Sequence, residues 1–245
     1  MRRLIRSAVL LSTGALAGLA GEVLYAGLRD LPSFEGVDPS GTFGTPGQPP
    51  LRIAVLGDSS CTGPGLNHPD QIWVRRIGAH FGRRFHTTID SVAVGGSRAH
   101  DVLRDQVPII VPTRPDVALV AVGSNDVLYG VPLKTFARNL EAIVAELLTC
   151  TPAVLLSGVG DLGTIPRLPF ALTRIMRRRG VRADRIHAEV ASRHAGAIKV
   201  PIKERCGRAF EDPGIYSPDL LHVNGEGHRL WAEAAIPSIE DVLPH

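Results

Sequence analysis

Several polar side chains in this sequence have the types and spacing that acyl transfer requires. Ser59 follows a glycine and an aspartate in residues 57–60 (Gly-Asp-Ser-Ser), where a tight turn would present its hydroxyl as a nucleophile. Residues 123–126 (Gly-Ser-Asn-Asp) carry an amide that can donate a hydrogen bond to developing negative charge. Asp219 precedes His222 by three residues, so its carboxylate can orient the imidazole through Nδ1 and leave Nε2 to accept a hydroxyl proton.

Each of these groups has a simpler structural interpretation when it is taken alone. A Gly-Asp-Ser turn after a strand is commonly a turn that caps a helix, and an asparagine at such a place commonly forms an Asx-turn. An Asp–His pair near the end of a chain is commonly a surface pair. The catalytic interpretation therefore depends on whether the fold brings the three groups to one place.

Apolar residues from residue 51 onward predict strands that alternate with helices. Trp73, Ile77 and Phe81 recur every four residues, which is typical of one face of a helix. The alternation predicts an α/β protein, a three-layer α/β/α sandwich with a mostly parallel, five-stranded, flavodoxin-like sheet. Ligands of such sheets bind where the strands end, at their carboxyl edge. The predicted strands cover residues 51–56, 87–94, 116–122, 153–157 and 197–202.

Taken in order, and with residues 94–97 (Val-Gly-Gly-Ser) between the first and second, these motifs resemble the SGNH hydrolase superfamily, the GDSL-type esterases and lipases. That family has a Gly-Asp-Ser block after the first strand, a block-two glycine, a Gly-x-Asn-Asp block and a late Asp-x-x-His. The resemblance spans residues 51 to about 235. The chain departs from the family pattern at Ser60, where leucine is usual, and at Val223, where many relatives have proline.

The resemblance implies a role for each matching residue. Ser59 would be the nucleophile, His222 the general base and later the general acid, and Asp219 the residue that orients His222. The oxyanion hole would combine the backbone N–H groups of Ser59 and Gly96 with the side chain of Asn125. Gly96 is chosen over its neighbour Gly95 from the spacing of the Val-Gly-Gly-Ser motif.

The implied function is that of a serine esterase that hydrolyses carboxylic esters, acyl or acetyl, of lipid or cell-envelope substrates without a cofactor. Two alternatives stay open. One is an O-acyltransferase that uses the same triad, and the other is a catalytically inactive envelope-binding module, against which the intact set of Ser59, Asn125, Asp219 and His222 argues. A metallohydrolase is disfavoured because no cluster of His, Cys, Asp and Glu has metal-ligand spacing.

The first thirty residues have the pattern of a segment that enters a membrane. Arg2, Arg3 and Arg6 precede an apolar run over residues 8–28, which as a helix is long enough to cross a bilayer. We favour an uncleaved anchor, and a signal segment cleaved after Ala20 is the alternative. In either case the rest of the chain is predicted to lie outside the cytoplasm, because the arginines stay on the inner side.

Composition divides the chain into three parts. Residues 1–30 form the anchor or signal segment, residues 31–50 are a Gly/Pro-rich linker, and residues 51–245 form the catalytic domain. The net charge of +3 includes the three arginines near the N-terminus, so the remaining chain is close to neutral. Nucleic-acid binding is therefore disfavoured, because it requires concentrated positive charge on the folded domain.

Two further features allow more than one interpretation. Residues 162–180 combine apolar residues with consecutive arginines at 177–179. We interpret them as a solvated helix end, the alternatives being a mobile flap or a basic face for anionic lipid. Cys61, Cys150 and Cys206 have no metal-type spacing and are interpreted as buried thiols or, outside the cytoplasm, as a Cys150–Cys206 disulfide with one free thiol.

Overall fold

The computed structural model describes residues 21–22 and 29–243. The predicted membrane segment, with its choice between an anchor and a cleaved signal, therefore lies almost entirely outside the described residues. Within the part of the chain that the structure describes, no helix combines the length and the apolar composition needed to cross a membrane.

The structure contains one sheet whose strands are β1 (Gly41–Phe43), β2 (Pro50–Gly57), β3 (His86–Ser91), β4 (Val117–Ala121), β5 (Ala153–Ser157) and β6 (Ala197–Val200). Their order across the sheet is β1-β3-β2-β4-β5-β6. Strands β2 to β6 run parallel, whereas β1 is antiparallel to β3. The chain moves from β2 to β3 on one side and then returns to β4 on the other, and such a reversal opens a crevice at the carboxyl ends of the strands.

Helices connect the strands and cover both faces of the sheet. They are α1 (Ser59–Thr62), α2 (Trp73–Phe81), α3 (residues 99–110), α4 (Ser124–Leu128), α5 (Leu133–Leu147), α6 (Phe170–Arg193), α7 (Ile202–Cys206) and α8 (Gly225–Glu240). Helix α3 is α-helical at both ends and π-helical over Val102–Gln106. Short 3₁₀ turns lie at Pro69–Gln71, Val111–Thr113, Leu162–Thr164, Ala209–Glu211 and Pro213–Ile215.

An apolar core lies on each face of the sheet. Along β2, Ile53 and Val55 face one core and Ala54 and Leu56 face the other, because successive side chains of a strand point to opposite faces. The first core is covered by α2, α7 and α8, and the second by α3, α5 and α6. Strands buried on both faces have continuous apolar sequences, which is why the sequence identifies them. The α/β/α sandwich is confirmed.

The sheet has six strands, and the predicted number of five is wrong. The additional strand, β1, lies within residues 31–50, the predicted linker, and pairs with residues 87–89 of β3. Its three residues are too few to form an apolar pattern, and glycines and prolines surround them. Pairing with β3, rather than any local sequence signal, makes this segment a strand.

Two other expectations change with the structure. Residues 170–180 form the first half of α6, so the arginines at 177–179 do not lie at a helix end. Arg177 contacts the carboxylate of Asp161 with a distance of 2.9 Å from Nε to Oδ2. All three cysteines are free thiols, so Cys150 and Cys206 are not joined.

Candidate active site

The carboxyl ends of β2, β3 and β4 bring three of the sequence motifs together. Ser59 follows β2 as the first residue of α1, Gly96 lies in the loop after β3, and Asn125 lies in the first turn of α4 after β4. Because β2 is flanked by β3 and β4, the loops of both neighbours meet the nucleophile candidate from either side. All three residues line the same cavity.

Gly57 makes the turn into Ser59 possible. Its φ is 152°, and a Cβ at this position would lie 2.2 Å from the carbonyl oxygen of Ala121 in β4, so only glycine fits. Asp58 then caps α1, since its Oδ1 accepts a hydrogen bond of 2.9 Å from the N–H of Ser60. The helix therefore begins at Ser59, whose own N–H donates to no other described residue.

The structure brings Ser59, His222 and Asp219 into one chain of hydrogen bonds. The distance from Ser59 Oγ to His222 Nε2 is 3.0 Å, and that from His222 Nδ1 to Asp219 Oδ2 is 2.6 Å. His222 is partly exposed to the cavity, whereas only 2% of Asp219 is exposed. A buried carboxylate on Nδ1 places the ring proton there, so Nε2 can accept the proton of the Ser59 hydroxyl.

Asp219 is held in its ionised form. Its Oδ1 accepts hydrogen bonds of 3.0 Å from the N–H groups of both Leu221 and His222. Burial opposes ionisation, but the bonds from the His222 ring and from these two N–H groups outweigh it and lower the pKa of Asp219. The turn that allows this contact places Leu220 at a φ of 59°, a left-handed conformation that is uncommon outside glycine.

Asn125 contacts both of the other loops. Its Nδ2 donates to the carbonyl oxygen of Ser97 at 3.1 Å and to Oδ2 of Asp58 at 3.4 Å. Burial raises the pKa of Asp58 to about 6, against the opposing effect of the hydrogen bonds from Ser60. Asp126, also buried, accepts a hydrogen bond of 3.0 Å from the N–H of Ala99. Asp58 and Asp126 thus hold the loops in place.

Reasoning from the sequence missed Gln106, which joins two of these loops. Its Oε1 accepts a hydrogen bond of 2.8 Å from the N–H of Gly57, and its Nε2 donates to the carbonyl oxygen of Gly57 at 2.9 Å and to Ser97 Oγ at 3.1 Å. The side chain is buried. No motif marks this glutamine, because it lies in the π-helical segment of α3, and such irregular turns have no reliable sequence signature.

The cavity at this edge of the sheet has a volume of about 760 Å³. Its apolar walls come from both sides of the sheet, and sequence reasoning missed them because they come from loops and helices far apart in the chain. Among residues 21–22 and 29–243, no group of three or more His, Cys, Asp and Glu side chains could hold a metal ion. The apolar wall residues include Phe34, Leu128, Leu162, Ile165, Phe210 and Trp231.

Known proteins resemble this chain in both sequence and fold. A GDSL-like esterase of Mycobacterium tuberculosis is 24% identical over 199 residues, which is 79% of this chain. The match spans only 63% of the length of that relative. The fold resembles that of TesA, with a TM-score of 0.66 and 20% identity, over 79% of this chain and 100% of TesA.

Two further solved structures share the fold. The psychrotrophic esterase EstA from Pseudoalteromonas sp. matches with a TM-score of 0.61 and 18% identity, over 78% of this chain and 97% of EstA. A variant of Axe2, an acetyl xylan esterase from Geobacillus stearothermophilus, matches with a TM-score of 0.61 and 16% identity, over 83% of this chain and 99% of Axe2. The model of the GDSL-like lipase/acylhydrolase family matches residues 55–230, well over half of the sequence. The chain belongs to this family of GDSL-like lipases and acylhydrolases.

Proposed function

We propose that this protein is a serine esterase that cleaves carboxylic esters through an acyl-enzyme on Ser59. The observation that carries the proposal is the pair of hydrogen bonds that join Ser59 to His222 and His222 to Asp219. This arrangement contains a nucleophile, a base within reach of its proton and a buried carboxylate that orients the base.

The reaction would proceed in two halves. As Ser59 Oγ attacks the ester carbonyl carbon, His222 Nε2 takes the hydroxyl proton. His222 then gives that proton to the oxygen of the leaving alcohol, the C–O bond breaks, and an acyl-enzyme remains. In the second half a water molecule loses a proton to His222 and attacks the acyl carbon, after which the proton returns to Ser59 and the acid leaves.

The negative charge that develops on the carbonyl oxygen would be stabilised by three hydrogen-bond donors: the backbone N–H groups of Ser59 and Gly96 and the side chain of Asn125. The free N–H groups of Ser59 and Gly96 support this assignment, since neither donates to another described residue. Asn125 would contribute the N–H that now faces Asp58, because that hydrogen bond, at 3.4 Å, is the longer of its two. Hydrogen-bond donors fixed in advance of the reaction commonly supply a large part of the rate enhancement.

The cavity volume of about 760 Å³ leaves room for an ester with a sizeable acyl or alcohol part. The N-terminal segment, which would place the domain at or outside the membrane, favours a lipid or cell-envelope ester. The same steps would transfer the acyl group to a second alcohol if that alcohol replaced water. Product analysis in the presence of glycerol distinguishes the two reactions: free acid indicates hydrolysis, and an acylated glycerol indicates transfer.

We also propose that residues 1–30 hold the protein at the membrane or export it, and that residues 51–245 act outside the cytoplasm. The arginines at positions 2, 3 and 6 before the apolar run support this orientation. External protease added to intact cells should digest the catalytic domain. Full protection of the domain in intact cells, with loss of protection on lysis, would contradict the location.

The nucleophile is tested directly by covalent labelling. A fluorophosphonate probe should modify Ser59, because the probe reacts with serine hydroxyls that an adjacent base activates. Peptide mapping by mass spectrometry should place the label on Ser59, and Ser59→Ala should abolish it. Ser60→Ala is the matched control and should keep the label. A label on Ser60, or a label that persists in Ser59→Ala, would contradict the proposal.

Gln106 gives a second test, which concerns the loops rather than the triad. We expect Gln106→Leu to lower kcat about 10²-fold, since the N–H of Gly57 loses its acceptor and the loops that carry Ser59 and Asn125 shift. Steady-state kinetics with p-nitrophenyl butyrate measures the effect. Gln106→Glu keeps the acceptor for the Gly57 N–H, so its kcat should lie between those of Gln106→Leu and the wild type. A lower thermal midpoint with unchanged kcat would show a purely structural role.

A further inference from the structure

One part of the cavity wall comes from α8 and from the segments that precede it. We call it the α8 pocket and define it by Cys206, Phe210, Val223, His228 and Trp231, all of which line the cavity. Cys206 and Trp231 pack against the core covered by α2, α7 and α8. Leu128, which shares helix α4 with Asn125, lines the cavity and packs against the core on the other face.

His228 contributes the polar group of the α8 pocket. Only 1% of the residue is exposed, and its Nδ1 accepts a hydrogen bond of 3.3 Å from the N–H of Trp73 at the start of α2. An acceptor at Nδ1 requires the ring proton to be on Nε2. Burial, and to a smaller extent the charges of Arg76 and His222, lowers the pKa of His228 to about 3, so the ring is neutral at neutral pH.

The Nε2–H of His228 has no hydrogen-bond partner in the described part of the chain, and Nε2 is not among the unpartnered side-chain atoms that are fully buried, so it is reachable from the cavity. The ring lines the cavity, so a bound molecule can supply the missing acceptor. Water in the open cavity can accept from this N–H, but a purely alkyl occupant would displace that water and leave the donor without a hydrogen bond, which costs free energy. The α8 pocket is therefore matched to a group that carries an oxygen acceptor.

Aromatic rings form the apolar part of the same pocket. Phe210 and Trp231 stack with a distance of 5.8 Å between ring centroids and an angle of 16° between ring planes. Trp231 and His228 pack edge to face with ring centroids 5.1 Å apart. Flat apolar faces beside a neutral N–H donor suit a molecule with C–H groups on its faces and oxygens on its edge. Arg208 and Glu211, which also line the cavity, pair with each other at 2.9 Å.

We propose that the α8 pocket binds the alcohol part of the ester and that this alcohol is a neutral polyol, whose hydroxyl or ether oxygen accepts a hydrogen bond from His228 Nε2. The inference rests on the proposed esterase function. Gly96 and Asn125 hold the carbonyl oxygen on one side, and His222 must deliver its proton to the leaving oxygen. Val223, His228 and Trp231 line the same cavity as His222, so an alcohol that receives the proton from His222 can occupy the α8 pocket.

The experiment compares esters that share a butyryl group but differ in the alcohol. Full-length protein and its His228→Asn variant are assayed with ethyl butyrate, glyceryl butyrate and methyl 6-O-butyryl-glucoside. The amide oxygen introduced by this change can still accept from the Trp73 N–H, while the Nε2–H is lost. We expect the ratio of kcat/KM for a polyol ester to that for ethyl butyrate to fall about tenfold. His100→Asn, on the exposed surface of α3, is the control and should leave the ratio unchanged.

Trp231→Leu provides a second variant, since it removes the aromatic face of the pocket and keeps the His228 side chain and its Nε2–H. It should also lower the ratio. A fall for the glyceryl ester alone indicates a lipid-derived alcohol, a fall for the glucoside alone indicates a sugar, and either supports the proposal. Ethyl 3-hydroxybutyrate places the oxygen on the acyl side instead, and a loss confined to this substrate would overturn the assignment to the alcohol.

Failure of the inference can be distinguished from failure of the proposed function. If the protein hydrolyses ethyl butyrate and Ser59 takes the label, but both variants keep the wild-type ratio, only the α8-pocket proposal is wrong. If the protein hydrolyses none of the esters and Ser59 is not labelled, the esterase proposal fails and this inference fails with it.

Discussion

Ser59→Ala and His222→Ala are each expected to lower kcat by about 10⁴–10⁶-fold. The first change removes the atom that forms the acyl-enzyme. The second removes the base that lies 3.0 Å from that atom, so the hydroxyl would have to attack without losing its proton. The residual rate would come from the oxyanion donors and from binding of the ester. Steady-state hydrolysis of p-nitrophenyl butyrate measures both effects.

The double variant Ser59→Ala/His222→Ala tests whether the two residues act together, which neither single change can show. Ser59 and His222 act in the same proton transfer, so removing both should cost little more than removing one. His100→Ala, on the exposed surface of α3, serves as the control and should retain wild-type kcat. If the effects of the two single changes multiplied in the double variant, the two residues would act independently and the triad assignment would be wrong.

Asp219→Asn is expected to lower kcat by about 10⁴-fold while the protein stays folded. The amide oxygen can still accept hydrogen bonds from the N–H groups of Leu221 and His222, as Asp219 Oδ1 does now. The amide nitrogen would then face Nδ1 and donate to it, which moves the ring proton to Nε2. In that tautomer His222 cannot take the proton of Ser59.

A matched change elsewhere controls for the loss of a carboxylate. Asp212 also accepts a backbone hydrogen bond within a turn, from the N–H of Gly214 at 2.8 Å. Its carboxylate forms no hydrogen bond with Ser59 or His222. Asp212→Asn should therefore leave kcat unchanged. Thermal denaturation should give similar midpoints for the two variants. Wild-type kcat in Asp219→Asn would show that the carboxylate does not set the tautomer of His222.

Local patterns in the sequence predict most of the sheet and most of the site. The strands from β2 to β6 are apolar runs because both faces of the sheet are covered, and each was predicted within a few residues of its position. The Gly-Asp-Ser turn was predicted from its residue types, and the structure gives the reason for the glycine: Gly57 has a conformation and a close contact with β4 that only glycine allows. Asp219 and His222 are three residues apart, so their hydrogen bond is formed within one turn.

Other parts of the site carry no local signal. Strand β1 exists because its three residues pair with β3, and the sequence around it has the composition of a linker. Gln106 reaches Gly57 from a position 49 residues away because α3 contains a π-helical segment. His228 is one of nine histidines, and its place in the cavity follows from the packing of α8 against α2. Composition and periodicity do not encode contacts of this kind.

The sequence by itself determined the types and the order of the candidate site residues. It also placed Ser59, Gly96 and Asn125 after strands, and Asp219 and His222 before the last helix. The tertiary structure decided whether Ser59 and His222, which are 163 positions apart, come within hydrogen-bonding distance. The physical reason is that helix α8 packs against α2 and the sheet, which places the loop before α8 over the carboxyl end of β2. The same packing formed the α8 pocket, whose walls no single segment of the chain contains.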